Sequence, residues 1–118
     1  MRQPLTRGSI YYADLTGAIG SEQAGIRPAL IVQNDVGNAH SPTTQIIPLT
    51  TQHKKPKLPT HAKVSPACGL AGASIALAEQ VRTIDRSRLG RYVGRIGDRE
   101  QSAVNKAIAS SFGLEVVA

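Results

Sequence analysis

Cysteine occurs once in these 118 residues, at Cys68, and tryptophan does not occur at all. One thiol builds neither a disulfide framework nor a cysteine metal cluster, and such usage suits a reducing cytoplasm. The setting of Cys68, Ser65-Pro66-Ala67-Cys68-Gly69, matches no nucleophile motif. Aromatic rings are confined to Tyr11, Tyr12, Tyr92 and Phe112. That is too few for the stacking platform of many single-strand binders, so any nucleic-acid contact must rest on arginine, lysine and hydroxyl groups. No apolar run approaches membrane-spanning length and no signal-peptide pattern opens the chain, so a soluble cytoplasmic protein without a membrane partner is expected. The glycines between Gly17 and Gly25 form no P-loop, because no Gly-Lys-Ser/Thr follows. His40, His53 and His61 lack metal-ligand spacing and no carboxylate pair stands out, so neither metal nor cofactor is expected. Without repeats, low-complexity tracts or linkers, residues 1–118 read as one domain.

What the chain has in excess is positive charge. Fourteen Lys and Arg face eight acidic residues, for a net charge of +6 and a pI near 10.0. This favours a polyanionic partner, nucleic acid before anionic membrane, with a solvated basic surface as the plainer alternative. Lys54, Lys55 and Lys57, beside His53, sit in a loop at Gln52–Thr60 and would guide a polyanion electrostatically. Arg82, Arg86, Arg88, Arg91, Arg95 and Arg99 span several elements and need not share a face.

Short β-type runs dominate. Strands are expected at Ser9–Leu15, Ala29–Gln33, Thr43–Thr50, His61–Val64, Ser74–Leu77 and Gln80–Ile84 (two strands or one bent strand) and Tyr92–Ile96, with loops at 16–26 and 34–42 and a helical turn at 87–89. Pro48 removes an amide donor, which predicts an edge or a bulge. Asp98 is a good N-cap for a C-terminal helix whose inner face carries Val104, Ala107, Ile108 and Phe112, with Gly113 as C-cap. The fold class is therefore mainly β (α+β), a small β-barrel with a C-terminal helix packed on it.

The segment Gly20-Ser21-Glu22-Gln23-Ala24-Gly25-Ile26-Arg27-Pro28 ends a glycine-bounded loop in an arginine at the entry to a strand. Pro28 biases Arg27 toward an extended backbone. A guanidinium held on a rigid frame suits phosphate recognition and charge stabilisation, while a surface salt bridge to Glu22 or Asp14 is the alternative. Thr50 and Thr51 close the third strand where it meets the basic loop, so their hydroxyls could hydrogen-bond a phosphate oxygen or simply suit a strand. His61 opens a strand after a turn, where acid–base work on RNA and a structural role are both open.

Taken together, three stretches carry a resemblance: Gly8-Ser9-Ile10-Tyr11-Tyr12-Ala13-Asp14-Leu15, Gly20-Ser21-Glu22-Gln23-x-Gly25-x-Arg27-Pro28 and Val32-Gln33-Asn34-Asp35-x-Gly37-Asn38. They continue through Ser41-Pro42-Thr43-Thr44, Leu58-Pro59-Thr60-His61 and Glu79-Gln80-Val81-Arg82-Thr83-Ile84-Asp85 to Arg88-Leu89. In this the chain resembles the MazF/PemK (Kid) toxins in register over roughly residues 7 to 90. The resemblance implies an SH3-like barrel of the CcdB/MazF kind, a homodimer, and a sequence-specific, metal-independent endoribonuclease acting on single-stranded RNA, an mRNA interferase. It implies attack of the 2′-hydroxyl on the adjacent phosphate, leaving 2′,3′-cyclic phosphate and 5′-hydroxyl ends. It also implies a small acidic, MazE-like antitoxin as partner, inhibition of translation and growth when that antitoxin is absent, and DNA binding by the toxin–antitoxin complex.

By position, Arg27 matches the family's catalytic arginine and Thr50 its catalytic threonine. Ser21 and Gln80 match polar residues lining the RNA groove, and Glu22 and Gln23 share that loop. With Thr51, Lys54 and His61 they form the expected RNA-binding set. A guanidinium is a poor base, so Arg27 is expected to stabilise charge on the phosphorane. One departure concerns the loop before Ser21: Gly17 stands where the family pattern has proline. Two other readings remain, a CcdB-like module binding DNA gyrase and a generic nucleic-acid-binding barrel; neither requires the Arg27 and Thr50 pair.

Overall fold

The computed structural model describes residues 5–51, 58–66 and 69–114. Seven strands alternate with short connections: β1 Ser9–Asp14, β2 Ile26–Ile31, β3 Thr43–Thr50, β4 His61–Val64, β5 Ser74–Leu77, β6 Arg82–Asp85 and β7 Leu89–Arg95. The described residues also form the helices α1 Asp35–His40 and α2 Asp98–Phe112 and the 3-10 turns Ala78–Gln80 and Arg86–Arg88. Among the described residues, no helix is long and apolar enough to cross a membrane.

All strand pairs are antiparallel, in the order β4-β5-β3-β2-β1-β7, with β6 also on β3. The expected barrel is not closed: among the described residues the path ends at β4 and at β7 without joining them. Strand β3 changes partner along its length. Thr43–Ile46 pair with β6, and Leu49–Thr50 pair with β5. Pro48 stands in the interval. Val32 N–H donates to the Gln45 carbonyl at 2.9 Å, so strand alternation makes Ala29↔Pro48 a non-hydrogen-bonded pair. The ring nitrogen of Pro48 therefore faces away from β2, into the gap between β6 and β5. It occupies neither an edge nor a bulge but a central strand at the one position where no donor is called for.

Strand β2 starts three residues earlier than its apolar run, because Ile26, Arg27 and Pro28 pair with Asp14, Ala13 and Tyr12 of β1. The segment 34–42, expected as a loop, contains α1. Asn34 caps it by accepting from the Gly37 N–H at 2.8 Å. Asn38 of α1 is buried; its Oδ1 accepts from the Thr44 hydroxyl at 2.8 Å, and its Nδ2 donates to the Gln33 carbonyl at 2.9 Å.

Period-2 alternation divides the apolar residues of β1–β3 between two cores. On one face Ile10, Leu30, Ile47 and Leu49 pack with Ala62, Val64 and Ala76 beneath Val104 and Ala107 of α2. On the other, Tyr11, Ala13, Ala29, Ile31 and Ile46 pack with Leu15 and Ile84, flanked by Leu89 and Tyr92. The rings of Tyr11 and Tyr92 meet edge to face at 5.3 Å. Burial is the main reason the Tyr11 pKa is raised, and the neighbouring Tyr92 adds to it. Helix α2 is capped by Gly97, one residue before the expected Asp98, and the Gly97 N–H donates to Glu100 Oε1 at 3.3 Å. At the other end Gly113 takes the left-handed conformation at φ 71°. Ile108 packs against the core, whereas Phe112 stands 60% exposed on the last turn, beyond the reach of the sheet.

Candidate active site

The antiparallel register places the two residues of most chemical interest. The β2–β3 pairs run Ile31↔Ile46, Leu30↔Ile47 and Ala29↔Pro48. The pairing ends there; carried two steps further, the same register would align Arg27 with Thr50, which itself pairs with Ile75 of β5. The ladder stops short of them because 28/49 would be a hydrogen-bonded pair and Pro28 has no N–H to give. Both residues share the parity of Ala29, Ile31 and Ile46, so both lie on the sheet face opposite α2. Thr50 is buried and Thr51, next along, is exposed. Lys54, with the rest of the basic cluster, lies outside the described residues.

Arg27 is half-buried and bonded to its own loop. Its Nε donates to the Ala24 carbonyl at 3.0 Å and its Nη1 to Gln23 Oε1. The salt bridge considered from sequence does not form. Glu22 instead accepts from the Ile19 N–H, and Asp14 accepts from both the hydroxyl and the N–H of Thr16. Those two hydrogen bonds, the hydroxyl's first, hold the Asp14 carboxyl below its usual pKa.

The loop that carries Ser21, Glu22 and Gln23 is fastened at its base and across its middle. At the base, Leu15 N–H donates to the Gly25 carbonyl at 2.9 Å, with Gly25 at φ 80°. Arg88 Nη1 reaches the carbonyls of Asp14 at 3.1 Å and Thr16 at 3.4 Å. Gly17 has φ 97°, a conformation closed to the proline of the family pattern, so this turn differs from one built on proline. Across the middle, Gln80 Oε1 accepts from Gln23 N–H at 2.7 Å, while Gln80 Nε2 donates to the Ser21 carbonyl at 3.3 Å. Ser21 and Glu22 are exposed, as are the apolar side chains of Ile19 and Ile26.

His61 stands apart from this group. Its side chain is 4% exposed, and Nε2 lies 3.0 Å from Glu79 Oε2. Leu58 N–H donates to Nδ1 at 3.4 Å, which leaves the ring proton on Nε2. Thr60 donates to the other Glu79 oxygen at 3.0 Å. Burial works against the charge on Glu79, but its own backbone N–H, His61 and Thr60 outweigh it and lower the pKa. The structure thus gathers Ser21, Gln23, Arg27 and Gln80 by hydrogen bonds, adds Thr50 by register, and joins His61 to Glu79. From sequence, Arg88 and Glu79 stand only within an arginine run and a motif, with no role of their own, because their partners are backbone carbonyls and a residue eighteen positions away.

Residues 6–112 match the family of PemK-like, MazF-like toxins of type II toxin–antitoxin systems. The chain is 42% identical over 109 residues to endoribonuclease EndoA of Bacillus subtilis, covering 92% of this chain and 94% of that protein. It is 41% identical over 114 residues to endoribonuclease MazF of Staphylococcus saprophyticus, covering 96% and 95%. Among solved structures, a mycobacterial endoribonuclease in complex with its cognate antitoxin superposes with a TM-score of 0.80 at 28% identity, over 96% of this chain and 99% of that one.

Proposed function

This chain belongs to the PemK-like, MazF-like toxin family of type II toxin–antitoxin systems and is an endoribonuclease, and we propose that it cuts single-stranded RNA from the sheet face that carries Arg27 and Thr50. The observation that supports this face is the β2–β3 register, which brings a guanidinium and a hydroxyl to the same end of adjacent strands.

Attack of a ribose 2′-oxygen on the neighbouring phosphorus forms the O2′–P bond and breaks the P–O5′ bond. The products are a 2′,3′-cyclic phosphate and a 5′-hydroxyl. Negative charge gathers on the non-bridging oxygens as the attack proceeds. Arg27 and the Thr50 hydroxyl supply a fixed cation and a donor for that charge, a task a metal would otherwise perform. Arg27 acts on charge; a separate base takes the 2′-hydroxyl proton, and one proton is delivered to the departing 5′-oxygen as the P–O5′ bond breaks. Exposed Ser21, Glu22 and Thr51 meet the flanking nucleotides, with Lys54 guiding the backbone. His61 serves by holding the Leu58–His61 turn through Glu79.

The protein works as a homodimer with the RNA groove running across it, and sequence preference comes from the loops around the groove. A cognate acidic antitoxin competes for the same surface, placing carboxylates near Arg27 and apolar side chains against Ile19 and Ile26. A long single-stranded RNA incubated with the pure protein and a chelator tests the chemistry. Discrete fragments ending in cyclic phosphate are expected. Intact RNA at high protein concentration, or cutting only when metal is added, would overturn this reading.

A further inference from the structure

We propose that Gln80 is a positioning residue for Arg27 and acts through Gln23, not by contact with RNA. The inference rests on the reading that Arg27 stabilises the cleaved phosphate. Gln80 closes the 3-10 turn Ala78–Gln80, which is anchored by the Ala78 N–H donating to the Thr60 carbonyl at 2.9 Å. From that anchor its amide spends both ends on the β1–β2 loop: Oε1 receives the Gln23 N–H and Nε2 gives to the Ser21 carbonyl. The partners allow one orientation of the amide, because a backbone N–H needs the oxygen and a carbonyl needs the nitrogen. Gln23, with its backbone held, turns its own Oε1 to the Arg27 guanidinium.

The chain of contacts therefore runs from a turn between β5 and β6, through a loop residue, to the charge on β2. Residues 23 and 80 are fifty-seven positions apart, so this link closes a long loop around the site. Without it the loop keeps its base at Leu15 and Gly25, but Gln23 gains freedom and the guanidinium loses its reference point. Pre-organisation of a charged donor is what accelerates charge-forming steps, so loss of the link shows in turnover rather than in binding.

Two substitutions separate the acceptor from the amide. Gln80→Leu keeps the bulk and removes both bonds, whereas Gln80→Glu keeps an oxygen for the Gln23 N–H. Single-turnover cleavage of a defined oligoribonucleotide by Gln80→Leu is expected to slow about tenfold with KM within about twofold, the size of one lost hydrogen bond at the barrier. Gln80→Glu should recover most of the rate. Gln23→Ala should slow cleavage similarly, and adding Gln80→Leu to it should slow it little further. The Arg27 Nη–H resonances, which report the bond from Nη1 to Gln23, should move and exchange faster with water in Gln80→Leu but not in Gln80→Glu. An unchanged Arg27 resonance and rate in Gln80→Leu would overturn the proposal. So would equal losses in both variants with raised KM and an altered cleavage sequence, the mark of direct RNA contact. Full cleavage by Arg27→Ala would instead refute the role of Arg27 itself, whatever the spectra of the Gln80 variants show.

Discussion

The two faces of strands β1 to β3 differ in what covers them. Beneath α2 the face is wholly aliphatic, and Ile10, Leu30 and Val104 are completely buried. The opposite face shares its aliphatic centre with Tyr11, and by strand parity it carries Arg27 at the start of β2 and Thr50 at the end of β3. Adjacent residues on one strand thus serve different ends: Leu30 secures the helix, while Ala29 and Arg27 face the candidate site. Strand alternation gives this separation, and a slip of one residue would exchange the faces.

The largest expected effect breaks the helix-covered face alone. Leu30→Ala should cost about 2–5 kcal/mol of stability, the range for emptying a well-packed core site. Chemical denaturation would measure it, with cleavage per folded molecule unchanged. A comparable fall in turnover by the folded fraction would show that the two faces are not separate.

The converse variant is Arg27→Ala. Removal of one preorganised donor to a developing oxyanion typically costs about 2.7–4 kcal/mol in the barrier, or a hundred- to thousandfold in rate. Since Arg27 is half-buried and bonded only within its loop, the melting temperature should hardly move. Full activity in this variant would remove Arg27 from the site.

What depends on local chemistry was legible in the sequence. Strands β3, β4 and β5 have the expected bounds, as does the Gly113 cap. What depends on partners was not legible there. Nothing local in Ile26-Arg27-Pro28 announces pairing with β1, although Pro28 favours an extended Arg27. Helix α1 was readable from Asn34 followed by Asp35, but Gly37 and the neighbouring asparagines look like a loop. The expected barrel stays open because β4 and β7 do not pair among the described residues, and β3 divides between β5 and β6, a division that Pro48 permits but does not predict. Arg27 and Thr50 could be named from the motif they share with a family, whereas the Gln23 to Gln80 link needed the tertiary structure.

The smallest effect concerns the border between the two regions, where Glu79 ties Thr60 and His61 to the turn that carries Gln80. Because its pKa is lowered from 4.5, Glu79 adds stability that is fully present above that value and is lost as pH falls through the folded-state pKa. The carboxylate is 36% exposed, so solvent screening keeps the contribution within about 1 kcal/mol. Its effect should be local. On acidification from about pH 6 to pH 3, amide protection at Leu58–His61 and Ala78–Gln80 should fall before that of Leu30 or Val104. Glu79→Gln should weaken the same amides at neutral pH and flatten their response to acid. Acid loss spread evenly over both faces would mean that Glu79 supports the whole fold, and the turn beneath Gln80 would then be part of the core.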